Sequence, residues 1–349
     1  MTNSKDWSLK QDLDMVLTHA KANFLKLDGA HLFITGGTGF IGCWFLESLK
    51  YAIENYNLNI QVTILTRDIK AFNLKAPHLA NCKSFNFFEG ELLTSKFPDI
   101  HLTHIIHAAT EASADLNENN PLLMFNIIVN GTRKILDYAV EKKIKKVLFL
   151  SSGAVYGRQP WELERISEGW HGDVNCVDPK LTYAEGKRAA EMLCAIYEKQ
   201  FGLNIAIARI FALLGPYLSL DIHFAAGNFI RDAIQGKEIV VNGNGKPLRS
   251  YLYAADLIIW LWHLLLNNDV SEPYNVGSDE MISIEDLARK VSNLIGNKGF
   301  RIQGSEDSGW NVGRYVPDTS KILKDYGLKK LVSLDDSILR TAYWHGWKG

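Results

Sequence analysis

The sequence predicts an α/β fold in which a doubly wound parallel sheet carries a smaller C-terminal lobe. Three observations predict it. From His31 onward, short apolar runs alternate with longer helical patterns, and strands that are apolar throughout belong to a sheet covered on both faces. A glycine turn, Gly36-Gly-Thr-Gly-Phe-Ile-Gly42, joins the first run to the first helix of that alternation. After Phe211 the rhythm breaks at Gly215-Pro216 and the elements become short. Such a tail suits a lobe over the carboxyl ends of the strands, where open α/β sheets bind ligands.

Taken in order, residues 1–30 hold one amphipathic helix, with Leu13, Val16, Leu17, Phe24 and Leu25 near helical spacing. It reads as an extension that caps the domain. The expected strands are His31–Thr35, Gln61–Thr66, His104–His107, Lys146–Ser151 and Asn204–Ile210. Helical patterns lie between them at Ile41–Ile53, Leu122–Glu141 and Tyr183–Phe201. Residues 31–212 are therefore assigned to the main domain. Beyond it come a helix at Asn228–Gln235, a Gly-rich turn at Asn242–Gly245, a short strand near Arg249–Tyr253 and a helix through Asp256–Leu266. Residues 237–266 are expected to return to the main domain, leaving 213–236 and 267–349 for the lobe.

Composition narrows the class of function. With 349 residues, 47% of them apolar, the chain can bury a full core. No stretch approaches the roughly 20 apolar residues of a membrane span, and Met1 to Gln11 lack the layout of a signal peptide. Net charge is -1 with both signs dispersed, so neither nucleic acid nor a membrane surface is an expected partner. Four cysteines without a C-x-x-C pair fit unpaired thiols in a reducing cytoplasm, with no metal site.

The glycine turn follows a strand and opens a helix, as a Rossmann-type dinucleotide site requires. Gly36 permits the tight turn, Gly39 lets backbone approach a pyrophosphate, and Gly42 lets the helix pack closely. The helix N-terminus at Phe40 and Ile41 faces the phosphates. The second strand ends in Arg67-Asp68. An acid there would bind the ribose hydroxyls of NAD, and an arginine the extra phosphate of NADP. Either residue can hold that position, and Arg67 tips the NAD(P) assignment slightly toward NADP. Glu91 can accept from the adenine amine or be an ordinary loop acid, and Leu92, Ala108 and Ala109 are the remaining candidate cofactor contacts.

Two features turn a binding fold into an enzyme. The run ending Phe149-Leu-Ser-Ser-Gly-Ala-Val-Tyr-Gly157 places hydroxyls at a strand's carboxyl end, and Tyr183-Ala-Glu-Gly-Lys187 opens a helix with Tyr183 and Lys187 on one face. A phenol titrates near 10 unassisted, and a nearby ammonium favours the phenolate, so Tyr183 can act as general base. Ser152 can hold the substrate hydroxyl, and Lys187 can also reach the cofactor ribose. Y-x-x-x-K arises by chance in many helices, but here it follows both the glycine strand and the Ser-Ser strand end.

These motifs resemble the extended short-chain dehydrogenase/reductase family, in its nucleotide-sugar epimerase/dehydratase branch. The likeness continues through Ala208-Arg-Ile-Phe211, Val241-Asn-Gly-Asn-Gly245, Arg249-Ser-Tyr-Leu-Tyr-Ala-Ala-Asp256 and Tyr274-Asn-Val-Gly-Ser278 to the pattern from Arg314 to Lys321. It implies catalytic roles for Ser152, Tyr183 and Lys187. It also implies that Arg249 and Arg314 hold the diphosphate of a nucleotide sugar, and that the protein is a homodimer through the helices after Leu122 and Tyr183. Thr110 and Ser113, after His107-Ala-Ala, and Asn228 are further candidate substrate contacts, while Glu111 is a candidate acid or base.

Departures from the family pattern limit the reaction. Dehydratases of this branch carry Asp-Glu after the catalytic Ser/Thr, and the decarboxylases a glutamate at the second position, whereas this chain has Gly153-Ala154. Ala212 and Ile128 stand where asparagines are usual. What remains is oxidation and return at one carbon: epimerisation through a 4-keto sugar, or net reduction of a keto sugar with NADPH as the alternative. Dehydration or decarboxylation would need an acid from elsewhere, and a non-catalytic dinucleotide sensor is the distant alternative.

Overall fold

The computed structural model describes residues 7–109, 114–221, 225–267, 272–296, 298–304 and 313–349. Its centre is a seven-stranded sheet built from β1 (His31–Thr35), β2 (Gln61–Thr66), β3 (Phe85–Glu89), β4 (His104–His107), β5 (Lys146–Ser152), β6 (Ile205–Ile210) and β11 (Pro273–Val276). The order is β11-β6-β5-β4-β1-β2-β3, and every neighbouring pair is parallel. This is the expected Rossmann-type α/β architecture. The strand order reverses between β1 and β4, which opens a crevice at the carboxyl ends.

Because side chains alternate along a strand, each central strand feeds two cores. Leu32, Ile34, Leu148 and Leu150 enter one, Phe33, Ile105, Val147 and Phe149 the other. Helices α2 (Phe40–Tyr56) and α9 (Ala254–Asn267) cover the first face, and α6 (Pro121–Glu141) and α7 (Thr182–Phe201) the second. Three small helices, α3 (Ile69–Lys75), α4 (Pro77–Ala80) and α5 (Ala114–Asn119), lie in the connections between strands. Among the described residues no helix is long and apolar enough to cross a membrane.

The N-terminal helix α1 (Leu9–Lys26) packs as a further layer on α2 and α9. Val16, Ala20 and Phe24 are fully buried, and Phe24 meets Trp262 edge-on at 5.4 Å. Leu25, expected on the apolar face, is 48% exposed, and Asn23 is buried in its stead. The seam between α1 and the rest of the chain is closed by a buried carboxylate. Asp12 accepts from Tyr253 (2.6 Å), Trp7 (3.1 Å) and the guanidinium of Arg340 (2.6 Å).

The C-terminal elements form a separate small core. It gathers β7 (Leu213–Leu214), α8 (Ala225–Ile234), β8 (Ile239–Val241), α10 (Ile284–Ile295), β13 (Phe300–Ile302) and α12 (Leu334–Trp344). Beside it stand β9 (Leu248–Arg249), β12 (Ile282–Ser283) and β14 (Arg314–Tyr315) as one small sheet, and β10 (Leu252–Tyr253) paired with β7. Helix α11 (Ser320–Tyr326) packs on β11. Three details differ from the sequence reading. β11 lies in the central sheet although 267–349 was assigned to the lobe, and β8, within 237–266, pairs with β13 outside that sheet. Short strands carry no mark of their partner, so pairing follows from tertiary contacts. The edge strand β3 is not among the expected runs, because it is half exposed and mixed in polarity.

Asp12 ties three elements together, so its loss should be felt throughout. Asp12→Ala leaves the Arg340 charge and the Tyr253 hydroxyl without their acceptor, and should lower stability by about 3–5 kcal/mol, read as a lower urea midpoint with an unchanged m-value.

Candidate active site

The turn between β1 and α2 has the shape a dinucleotide needs. Gly36 sits at φ +71°, and a Cβ there would lie 2.7 Å from the Ala108 carbonyl, so only glycine lets the turn close against the end of β4. A Cβ at Gly42 would lie 2.3 Å from the Gly36 carbonyl oxygen, which shows how tightly α2 folds back on the turn. Gly39 caps α2 without a side-chain hydrogen bond, and the first turn carries no acid. Its amides, from Phe40 to Gly42, and the helix dipole are left to an anion.

The wall beside this turn is set by a buried histidine. His107 Nδ1 and Thr35 Oγ1 are 2.8 Å apart, and His107 Nε2 lies 3.2 Å from Thr132 Oγ1. Burial pushes this imidazole down to about 3, so it is neutral and structural. Thr35 also accepts the Ala109 amide (3.2 Å), which fixes Ala108-Ala109 beside Gly36. Leu92 is buried against Gly131 of α6. Glu91 is exposed, with its amide donating to Ser95 Oγ at 2.7 Å. At the tip of β2 both charges are exposed. Asp68 caps α3 by accepting the Ala71 amide at 2.8 Å, which ties up one of its oxygens.

Ser152, Tyr183 and Lys187 meet at the carboxyl end of β5. Ser152 ends the strand, and its Oγ accepts the Ala154 amide (3.1 Å), turning the chain into a short 3-10 helix at Gly153–Tyr156. Tyr183 lies in the first turn of α7, its amide donating to Asn117 Oδ1 at 3.0 Å. Lys187 is one turn on, fully buried, with Nζ donating to the Leu150 carbonyl at 2.7 Å and 6.0 Å from the Tyr183 ring centre. Burial lowers the Lys187 amine to about 7, against the opposing pull of Glu191. Burial also raises Tyr183 above its ordinary value, and a hydrogen bond from Ser152 opposes that rise. Desolvation sets the direction of the shift, and the lysine is not among its causes in this arrangement.

A buried network holds this cluster. Ser151 Oγ donates to Glu191 Oε1 (2.5 Å), and Glu191 takes Arg209 Nη2 at 2.6 Å and Nε at 3.0 Å. Arg209 in turn donates to the Tyr156 hydroxyl (2.8 Å), which donates to Asn275 Oδ1 (2.8 Å). Ile128 packs α6 against α7, its Cδ1 3.1 Å from where a Cβ on Gly186 would stand. The space beside Ser152, where the dehydratases carry an acid, is walled off. A Cβ at Gly153 would lie 2.6 Å from the Tyr315 hydroxyl and 2.7 Å from Phe211 Cζ.

The two arginines do not share one face. On β14, Tyr315 is in register with Arg249 and Arg314 with Leu248. Adjacent residues of a strand point oppositely, so Tyr315 lies with Arg249. Arg314 turns away, its guanidinium 4.0 Å over the Trp161 ring and donating to the Trp161 and Leu163 carbonyls. Arg249 donates to the Leu248 and Gly313 carbonyls at 2.8 and 3.0 Å. Asn228 is partly open on α8 and accepts from Arg231 (3.3 Å). Thr110, Glu111 and Ser113 lie outside the described residues. Sequence reasoning missed Tyr315, whose only signal was its place beside Arg314, and the Glu191–Arg209 pair, of which only Arg209 falls within a quoted motif.

A parallel sheet of this order, with a glycine turn after its first strand and Ser, Tyr and Lys converging at a strand end, defines a dinucleotide-dependent enzyme. The chain belongs to the NAD dependent epimerase/dehydratase family, whose model matches residues 32–277, in the extended branch of the short-chain dehydrogenases/reductases. It is 29% identical over 321 residues to UDP-glucuronic acid decarboxylase 1 of Xenopus tropicalis, covering 91% of this chain and 72% of that protein. UDP-glucuronic acid decarboxylase 3 of Arabidopsis thaliana is 30% identical over 311 residues, covering 88% and 86%. Among solved structures, the UDP-glucose 4-epimerase of Thermotoga maritima with UDP-glucose matches with a TM-score of 0.76 at 19% identity, over 90% of this chain and 98% of that one. That last likeness is one of fold.

The depressed Lys187 pKa has a measurable sign. Between about pH 7 and 10.5 the unfolded chain holds a proton on this amine that the folded chain has released. Stability from this group therefore rises with pH across that window, by up to about 1.4 kcal/mol per unit. Urea unfolding of the wild type against Lys187→Met should show that slope in the difference between the two, and a flat difference would contradict it.

Proposed function

We propose that this protein is a nucleotide-sugar epimerase that works through a transient 4-keto sugar. The observation that carries the reading is the Ser152–Tyr183–Lys187 cluster with Gly153 walled off by Tyr315 and Phe211. Such a site holds the groups for moving one proton at one carbon, and no acid beside Ser152 to carry out water loss. Bound NAD(P) supplies the redox partner that takes electrons from the sugar carbon and returns them. The amides of Phe40 to Gly42 would hold its pyrophosphate. Arg67, exposed at the tip of β2, favours NADP slightly over NAD.

Within this reading Ser152 orients the sugar hydroxyl and Tyr183 removes its proton as a carbonyl forms. Lys187, half ionised near neutral pH, adds positive charge near the phenolate. Arg249, on the face of Tyr315, is the candidate for the sugar diphosphate. Arg314 is the weaker candidate, since it lies on the opposite face of β14 with its guanidinium over the Trp161 ring. A second reading, decarboxylation of a nucleotide-linked glucuronic acid, is favoured by the names of the relatives at 29–30% identity. It needs a group other than residue 154 to handle the proton at the neighbouring carbon, because Ala154 carries none.

Incubation of the purified protein with a panel of nucleotide sugars, followed by NMR, tests both readings. Epimerisation gives a product of unchanged mass without added cofactor. Loss of carbon dioxide from a glucuronic acid substrate supports the second reading and overturns the first. Tyr183→Phe should lower turnover by about 10²–10⁴-fold.

We also infer a homodimer through α6 and α7. Leu122, Phe125, Met192 and Ile196 are exposed on these two packed helices, and Met192 and Ile196 are one turn apart. Sedimentation should give twice the chain mass, and Met192→Glu with Ile196→Glu should give single chains that keep their helix content.

A further inference from the structure

We propose that Lys134 of α6 is a positioning residue for the adenine end of the dinucleotide site: it holds Ser95, and through Ser95 the backbone that carries the Glu91 carboxylate toward the adenine amine. The proposal rests on the reading above only in taking NAD(P) as the bound group.

The sheet fixes which way the ligand runs. Its strands stand in the order β5-β4-β1-β2-β3. Ser152, Tyr183 and Lys187 gather at the end of β5, and the amides of Phe40 to Gly42 follow β1. A dinucleotide with its pyrophosphate at β1 and its nicotinamide at β5 has its adenosine half over the tips of β2 and β3. The wall on that side is the segment after β3, from Gly90 to Pro98. Its start is tied to the sheet by the Gly90 amide, which donates to the Thr66 carbonyl at 2.8 Å. Because β3 is the edge strand, the rest of the segment must be held from elsewhere.

Helix α6 holds it. Residues three and four apart share a helix face, and Gly131, Lys134 and Tyr138 all meet this segment. Leu92 packs onto Gly131, where a Cβ would stand 2.5 Å from Leu92 Cδ2. Lys134 Nζ donates to the Leu93 carbonyl at 2.9 Å and to the Ser95 carbonyl at 2.6 Å. It also lies 4.7 Å from the centre of the Phe97 ring. An ammonium has three donors, and two carbonyls and a ring face meet them here. Tyr138 donates to the Pro98 carbonyl at 2.6 Å. Ser95 passes the restraint on. Its amide donates to the Glu91 carbonyl at 3.0 Å, and its hydroxyl oxygen accepts the Glu91 amide at 2.7 Å. Both backbone polar groups of Glu91 are thus held by a residue whose own carbonyl is held by Lys134.

The same turn of α6 carries Thr132, whose contact with His107 orders the opposite wall at Ala108-Ala109 through Thr35. One helical turn therefore sets both sides of the dinucleotide site. Reading an adenine amine is a matter of distance, since a carboxylate accepts a hydrogen bond only out to about 3.2 Å. A segment released from Lys134 can still cover the ring with Leu92, but it no longer holds Glu91 at that distance. Loss of the lysine should therefore cost discrimination between bases more than binding itself.

Lys134→Met tests it, since the apolar stem is kept and the donors are removed. The full-length protein, freed of nucleotide, is titrated by calorimetry with NAD, with NADP and with the hypoxanthine analogue of NAD, in which oxygen replaces the adenine amine. The wild type should prefer NAD to the analogue, and Lys134→Met should lose about tenfold of that preference. Lys134→Arg, which keeps a charged donor, should retain most of it. Ser95→Ala leaves the carbonyls that Lys134 engages but removes the acceptor of the Glu91 amide. It should lose the preference in the same way, and it decides the matter if Lys134→Met does not fold. A wild type without the preference, a folded Lys134→Met or Ser95→Ala that keeps it, or equal weakening of both dinucleotides overturns the proposal. Equal weakening is what a general loosening of the fold would give. A wild type that binds no dinucleotide overturns the cofactor reading as well. No sugar is present in the titration, so its failure leaves the epimerase reading standing, and a failed sugar screen leaves the titration standing.

Discussion

Glu191 of α7 grips the Arg209 guanidinium of β6 at 2.6 and 3.0 Å, and the same carboxylate receives the Ser151 hydroxyl of β5. Both partners are largely buried, with side chains 12% and 14% exposed. A pair of this kind adds little net stability, because desolvation offsets most of its attraction. Its contribution is placement. The helix that carries Tyr183 and Lys187 is pinned at one height against the strand that carries Ser152. Through Tyr156 and Asn275 the same network reaches β11, so four elements share one register. Errors of an ångström in the Tyr183–Ser152 geometry would be costly, and this network leaves little room for them.

The site is also defined by what surrounds Ser152. Family members that lose water or carbon dioxide use an acid close to the serine. Here neither Gly153 nor Ala154 supplies one, and the room at Gly153 is filled by Phe211 and Tyr315. Nothing about Gly153 as a residue announces that replacement, since a glycine after a strand reads as a turn. It becomes informative only when the ring that approaches it is seen.

The legible part of the molecule was the part governed by local rules. The apolar runs of β1, β2 and β4 coincide with the strands residue for residue, and those of β5 and β6 to within one residue. The glycine turn and Y-x-x-x-K motif sit where strand, helix and chemistry demand them, which is why the family could be recognised. Elements shorter than a full period were less legible. A two-residue strand such as β14 carries no alternation from which to tell its faces, so Arg314 was expected in the cleft and Tyr315 was not. β11 joins the main sheet because Asn275 and Val276 are buried beside β6, a fact of tertiary contact that four residues do not encode.

The placement of β11 has a mechanical consequence. The chain leaves the sheet after β6, enters the lobe, comes back as α9 and β11, and leaves again for α10 and β14. The lobe is therefore stitched to the sheet at several crossings, and no single linker exists about which it could swing. Domains joined by one tether open like a door. In a lobe sewn on in this way, any shift of β9 and β14 over the sheet has to be shared among all the crossings.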